Sequence, residues 1–322
     1  MSMLNLPPRL ATSVVISGQV ASKVVLDLTV YLVGPSEQEF EFLIDYYERL
    51  CPPSGMVHYQ ISETPWWLRV ANPLLTASGR AAAAAGVKRP YLEPVRKRIR
   101  DGRAFDVQFW DGRDIDDPEG CWSFRCGRIH RHSSGLHAFM RILLPLTADF
   151  MILLAAGRKV ADHVELYSGH GGLVFGYDPW LAEDAFDAIY AQARRFWGVD
   201  VEDLPGTLPL VTDGIKGVNW LTLVGTQFAS RPEIQASLTD LAQAPNFTID
   251  QREYATVVVA GPRPVGGDQH RPDKSLDPYY AVAKALEPLF IKAHPDFSSE
   301  QWVKNGNTIG WIRRFIEPDE WR

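Results

Sequence analysis

The residues best suited to chemistry fall in four short stretches. Cys121, Cys126, His130 and His132 lie within twelve positions and are of the types that ligate zinc. Residues 169–172 read Gly-His-Gly-Gly, so the bare backbone around Gly169, Gly171 and Gly172 could cradle a phosphate, with His163 and His170 as polar companions. Asp111, Asp114, Asp116, Asp117 and Glu119 put five carboxylates on one stretch with only Arg113 to offset them, which suits calcium or a basic protein surface. Lys88, Arg89, Arg96, Lys97, Arg98, Arg100 and Arg103 stand against Glu93 and Asp101 and could touch phosphates.

Spacing argues against most of these. In an extended stretch Cys121 points to the face opposite Cys126, His130 and His132, so the expected state is small buried cysteines beside surface histidines. A dinucleotide fingerprint needs a strand before it, a helix after it and a glycine where Val174 stands; here the glycines feed an apparent strand, and a structural turn is expected. The acidic stretch lacks the alternating ligands, central glycine and final glutamate of a calcium loop. It is expected to be a solvated loop or an acidic contact patch. In the basic stretch Pro94 suits a first helical turn and Val95 with Ile99 an apolar edge, so a solvent-facing helix is expected, with the neighbouring acidic stretch able to neutralise it. There is no G-x-S-x-G, H-E-x-x-H, Walker loop or C-x-x-C. No catalytic residue, metal ligand or cofactor site is therefore predicted.

Composition narrows the class. The 322 residues carry 33 Lys plus Arg against 39 Asp plus Glu, a net charge of −6 that excludes a protein coating nucleic acid. With 46% hydrophobic and 11% aromatic residues there is ample material for a packed core. Three cysteines are an odd count that points to a reducing compartment. The first ten residues lack a signal-like apolar core, and the most apolar run, 150–156, falls far short of the ~18 residues of a membrane span. A cytoplasmic chain without membrane contact is expected.

Elements follow from periodicity. Residues 24–33 alternate, with Val24, Leu26, Leu28, Val30 and Leu32 on one face and Asp27, Thr29 and Tyr31 on the other. Ser36 and Glu39 form a capping box for a helix whose buried stripe is Phe40, Leu43, Ile44 and Tyr47. Residues 105–110, 121–126 and 136–144 suggest an antiparallel meander, and residues 57–70 further short extended pieces. Thr147, alone or with Asp149, caps a helix towards Val164; another spans 182–197; strands are expected at 219–224 and 254–260, and a helix at 278–286 with Tyr280, Val282, Ala283 and Leu286 buried. The class is α+β: mixed, mainly antiparallel sheets with packed helices, either in two closely packed units, 1–145 and 146–322, or in one domain.

Two segments carry a resemblance. Residues 213–225 read DGIKGVNWLTLVG and residues 266–289 read GGDQHRPDKSLDPYYAVAKALEPL. Together with the aromatic stretch 311–315 and weaker echoes at 122–125 and 30–35, they resemble the type VI secretion immunity family. The pattern departs at Gln269, His270, Arg271 and Pro272, where the family suggests asparagine, arginine and glycine. The resemblance implies a cytoplasmic antidote, not an enzyme, that binds a cognate effector toxin, foremost a DNA-cleaving nuclease of the restriction-endonuclease fold. It would make no direct contact with nucleic acid. A nuclease surface that meets phosphates is basic, so Asp111, Asp114, Asp116, Asp117 and Glu119 become the candidate partner-binding residues. Trp220, within the first segment, is expected in the core. The rival readings are a small-molecule enzyme or binding protein with a deep polar pocket at residues 169–172, and a structural component of the secretion apparatus.

Overall fold

The computed structural model describes residues 4, 6–51, 58–62, 92–110, 122–130, 135–177, 181–271 and 273–321. Their strands are β1 (Val14–Ile16), β2 (Gln19–Leu32), β3 (His58–Ser62), β4 (Phe105–Trp110), β5 (Ser123–His130), β6 (Leu136–Leu144), β7 (Leu166–Tyr177), β8 (Val199–Val201), β9 (Leu221–Gly225), β10 (Phe247–Gln251) and β11 (Ala255–Ala260). They form one sheet in the order β10-β11-β9-β7-β2-β6-β5-β4-β3, with β1 added to β2 and β8 to β7. All pairings are antiparallel except β7 with β8. The sheet is continuous across residue 145, because β2 lies between β6 and β7.

Six described helices of nine residues or more accompany it: α1 (Glu37–Leu50), α2 (Leu92–Arg100), α3 (Met151–Ala161), α4 (Ala182–Ala193), α5 (Pro232–Ala242) and α6 (Asp277–Leu286). The mixed α+β class with a mainly antiparallel sheet is what the alternation and helical stripes indicate. At α1 the capping box forms as expected: Glu39 N donates to Ser36 Oγ at 3.3 Å and Ser36 N to Glu39 Oε2 at 2.7 Å. Phe40, Leu43, Ile44 and Tyr47 are buried, Phe40 edge-on to Phe105 and Tyr47 stacked on Phe124. The meander is β4, β5 and β6, with β5 starting at Ser123. In α6 the buried tyrosine is Tyr279; Tyr280, expected inside, is only partly covered and lies edge-on to Phe315. The sequence reading did not include α5 and β10, although Pro232 opens the first and Pro245 with Asn246 stands before the second.

Residues 169–172 are corrected from turn to strand: they sit inside β7, facing Thr29 and its neighbours in β2. Glycine is used here for close approach. A Cβ at Gly169 would lie 2.9 Å from Thr29 O, and one at Gly172 would lie 2.3 Å from Asn219 Oδ1. Gly169→Ala is expected to destabilise the chain by about 1–3 kcal/mol through overpacking against backbone that cannot yield, measurable by urea unfolding.

β2 is buried at every position from Val24 to Leu32, so both of its faces are covered. Leu26, Leu28 and Val30 enter the main core, while Tyr31 joins a second cluster with Ile129, Phe139, Leu204, Leu208 and Val211. Alternation places Asp27 and Thr29 on that second face. Polar residues at the centre of a doubly covered sheet must find partners.

Candidate functional site

Register assembles a polar row across the sheet. Arg125 of β5 faces Arg141 of β6, which faces Thr29 of β2, which faces His170 of β7, which faces Thr222 of β9. The short β8 runs parallel to β7, and alternation puts Asp200 on one face with Glu202 following just beyond the strand's end. Lys216 arrives from a loop strapped to the chain at Leu289–Ile291. Ile215 N donates to Leu289 O at 2.8 Å and Ile291 N to Ile215 O at 3.0 Å. Gly214 permits this approach, since a Cβ there would lie 2.1 Å from Leu289 O.

These residues converge into a buried ionic cluster. Lys216 Nζ donates to Val201 O at 2.6 Å, Glu202 Oε2 at 2.8 Å and Asp200 Oδ2 at 3.2 Å. His170 Nε2 lies 2.8 Å from the same Glu202 Oε2 and 3.2 Å from Asp200 Oδ2. Tyr31 donates its hydroxyl to Glu202 Oε1 at 2.9 Å. Glu202 is 1% exposed, Lys216 3% and His170 4%. Alongside, Arg141 Nε donates to Asp27 Oδ2 at 2.5 Å, Thr29 Oγ1 to Asp27 Oδ1 at 2.9 Å, and Arg125 makes a bidentate pair with Asp106.

Burial works against every charge here, and at Glu202, His170 and Lys216 the partners outweigh it. Burial would raise the Glu202 carboxyl, yet Lys216 and His170 hold it well below the usual carboxylate range. Burial would lower His170, but Glu202 and Asp200 keep its imidazole above its ordinary value; Lys216 is likewise raised by Asp200 and Glu202. Asp27 behaves otherwise: burial dominates and raises it despite Arg141. Burial, aided by Glu202, pushes the Tyr31 phenol up, so it stays a neutral donor.

A second layer closes over the cluster. Arg314, buried, donates Nε to Trp197 O at 2.8 Å and Nη1 to Trp311 O at 3.0 Å. Its guanidinium lies 3.6 Å from the Trp311 ring centre and 4.4 Å from that of Phe315. Burial lowers its pKa to about 10. His294, drawn down to about 4 by burial, stays neutral between Thr207 Oγ1 at 3.0 Å and Pro295 O at 2.6 Å. Between Arg314, Trp311, Lys216, Asp200 and His170 remains a cavity of about 10 Å³, room for one water. A deep polar pocket beside His170, as a small-molecule site at residues 169–172 would need, is not what this space provides. A larger groove, about 590 Å³, lies elsewhere, between α5 and β10, with Leu238, Thr239, Ile249 and Arg252 in its lining.

The other sequence candidates fare differently. Asp111, Asp114, Asp116, Asp117 and Glu119 lie outside the described residues, as do Cys121 and His132; the flanking strands β4 and β5 pair up to Trp110 opposite Ser123. Cys126 is buried in β5, where burial pushes its thiol up, and His130 is exposed at the strand's end. His163 is exposed and stacks on Phe42 at 4.4 Å, apart from the His170 cluster. The basic helix α2 is paired with carboxylates of α1 and its own: Arg96 pairs with Glu41 and Arg100 with Glu37 of α1, and Arg100 also with Glu93 of α2. Trp220 is in the core as expected, donating Nε1 to Gly261 O at 3.1 Å and edge-on to Phe150. In the segment where the resemblance departs, Asp268 makes a bidentate pair with Arg195 at 2.7 and 2.6 Å.

Asp200, Glu202, Lys216, Arg141 and Arg314 were missed by sequence reasoning. Alternation marked Asp27, Thr29 and Tyr31 as one face of a strand but carried no sign that this face is covered. Lys216 also lay inside the quoted segment 213–225.

The fold is thus a helix-flanked antiparallel sheet with an internal ionic cluster sealed from solvent. The chain belongs to the TsiV family, described as Type VI immunity for VRR-NUC, whose model matches residues 85–315. Among solved structures it is similar to the Pseudomonas aeruginosa T6SS protein PA0821, with 18% identity over 98% of this chain and 90% of that one and a TM-score of 0.71, a likeness of fold. No curated protein sequence matches the chain. Among the described residues no helix is long and apolar enough to cross a membrane.

Proposed function

We propose that this protein binds a cognate type VI effector carrying a VRR-NUC nuclease and neutralises it by covering its active or substrate-binding surface. The observation that carries this reading is the family match over residues 85–315. Occlusion requires affinity and shape but no turnover, and a rigid scaffold serves it: the central strands are covered on both faces and their charges satisfied internally. The protein acts, in this reading, in the cytoplasm of the producing cell, before a delivered nuclease reaches DNA. The test is co-expression of the nuclease domain with this chain, followed by measurement of DNA cleavage and of complex formation. Survival of the cells and a stable complex support the proposal; unabated cleavage with both proteins present rejects it.

The contact proposed is the acidic stretch of Asp111, Asp114, Asp116, Asp117 and Glu119, because opposite charge steers association with a phosphate-binding surface. Reversing Asp114, Asp116 and Asp117 to lysine is expected to slow association by about tenfold or more at low salt, with the difference shrinking as salt rises. Unchanged association rates by stopped flow would remove this stretch from the interface while leaving the immunity reading intact.

A further inference from the structure

We propose that His170, Asp200 and Glu202 form a divalent-cation site which Lys216 keeps closed, and that zinc occupies it once the ammonium is removed. One ligand atom from each of the three residues lies within 4.8 Å of the others. The separations from His170 Nε2 to Glu202 Oε2 and to Asp200 Oδ2, 2.8 and 3.2 Å, need only small adjustment to surround one ion at roughly 2.1 Å from each ligand. One imidazole and two carboxylates with a water in the fourth position is a donor set that zinc accepts.

Two independent observations mark the place as a cation slot. The first is its occupant: Lys216 Nζ sits 2.8 Å from Glu202 Oε2 and 3.2 Å from Asp200 Oδ2, the two oxygens an ion would bridge. The second is the adjoining cavity of about 10 Å³, lined by His170, Asp200 and Lys216, which has room for the one water a fourth ligand position needs. The surroundings also hold the ligands in place. Tyr31 fixes the other oxygen of Glu202, and the parallel pairing of β8 with β7 fixes Asp200 opposite Val174. Lys216 supplies one positive charge where zinc would supply two, and on binding zinc His170 gives up its proton to serve as a neutral ligand. The tethered ammonium therefore competes at an effective concentration no free ion matches, and the wild-type chain leaves the slot to it.

The experiment compares zinc binding by the full-length wild type, Lys216→Ala and the double variant Lys216→Ala/His170→Ala, using equilibrium dialysis and thermal melting with zinc chloride as the probe. Lys216→Ala is expected to hold one zinc more per chain than wild type and to melt higher with zinc than without it. The double variant should lose at least about tenfold in that added affinity, the least expected when a direct ligand goes, given that losing an outer support costs 10–100-fold. Surface histidines cancel in the comparison, since all three proteins share them. Equal zinc content in wild type and Lys216→Ala, or added zinc that survives loss of His170, overturns the proposal. Should Lys216→Ala fail to fold without metal, recovery of its fold on refolding with zinc supports the site and failure to recover overturns it.

Discussion

Replacing Glu202 by glutamine is expected to remove about 3–5 kcal/mol of stability, the scale seen when one member of a buried ion pair is neutralised and its partner stays behind. Three groups converge on this carboxylate: Lys216 at 2.8 Å, His170 at 2.8 Å and the Tyr31 hydroxyl at 2.9 Å. Glutamine keeps the shape but leaves the Lys216 ammonium with Asp200 as its remaining carboxylate, and removes the charge that does most to hold the His170 proton against burial. Urea unfolding at pH 7 measures the loss as a lower midpoint at unchanged slope. A cost below about 1 kcal/mol would mean that the cations are held by something other than this charge.

The same variant separates the pH terms. Glu202 is held well below its ordinary value in the fold, so its contribution is present above the unfolded carboxylate range and is lost as pH falls through the folded value. The stability gap between wild type and Glu202→Gln should therefore close on strong acidification. His170 has the opposite sign. Its folded pKa is raised, so its contribution is complete below the unfolded imidazole value and fades as pH climbs through the folded one. Wild type is thus expected to lose stability on the alkaline side through His170 and on the acid side through Glu202.

Trp302→Ala is the second large effect expected, again about 3–5 kcal/mol. Trp302 is fully buried, stacks on Trp321 at 5.5 Å and meets Phe297, Tyr190 and Trp311 edge-on at 4.9, 5.2 and 6.2 Å. Its indole N–H donates to Phe186 O at 2.8 Å, tying the short helix Glu300–Val303 to α4. Alanine would leave a cavity and remove the indole tie to α4, whereas Trp302→Phe should keep most of the packing and lose about 1 kcal/mol with the hydrogen bond. Denaturant unfolding separates the two. Equal, small losses would show that the C-terminal aromatic cluster repacks.

Local pattern was enough for local structure. The Ser36–Glu39 box needs only residues three apart, the α1 stripe only helical period, and the β4 to β6 meander only alternation between turns; all three stand in the fold. The glycines of residues 169–172 misled because a glycine signals permissive backbone without saying for what. Here Gly169 admits a neighbouring strand so near that a Cβ would lie 2.9 Å from Thr29 O, which no one-dimensional pattern encodes. The apolar face of β2 was evident, but that its polar face is also covered was not, since covering it requires residues 204–211 from far along the chain.

The amino-acid sequence alone determined the α+β class, the capped helix α1, burial of Trp220 and, through two short segments, the immunity family. Tertiary structure alone decided the ionic cluster. Tyr31, His170, Glu202 and Lys216 are separated by up to 185 positions between first and last, and none forms a recognisable pattern with another in sequence. Strand register sets their spacing, and only in the folded interior, where water cannot screen them, do four common side chains become one coupled unit.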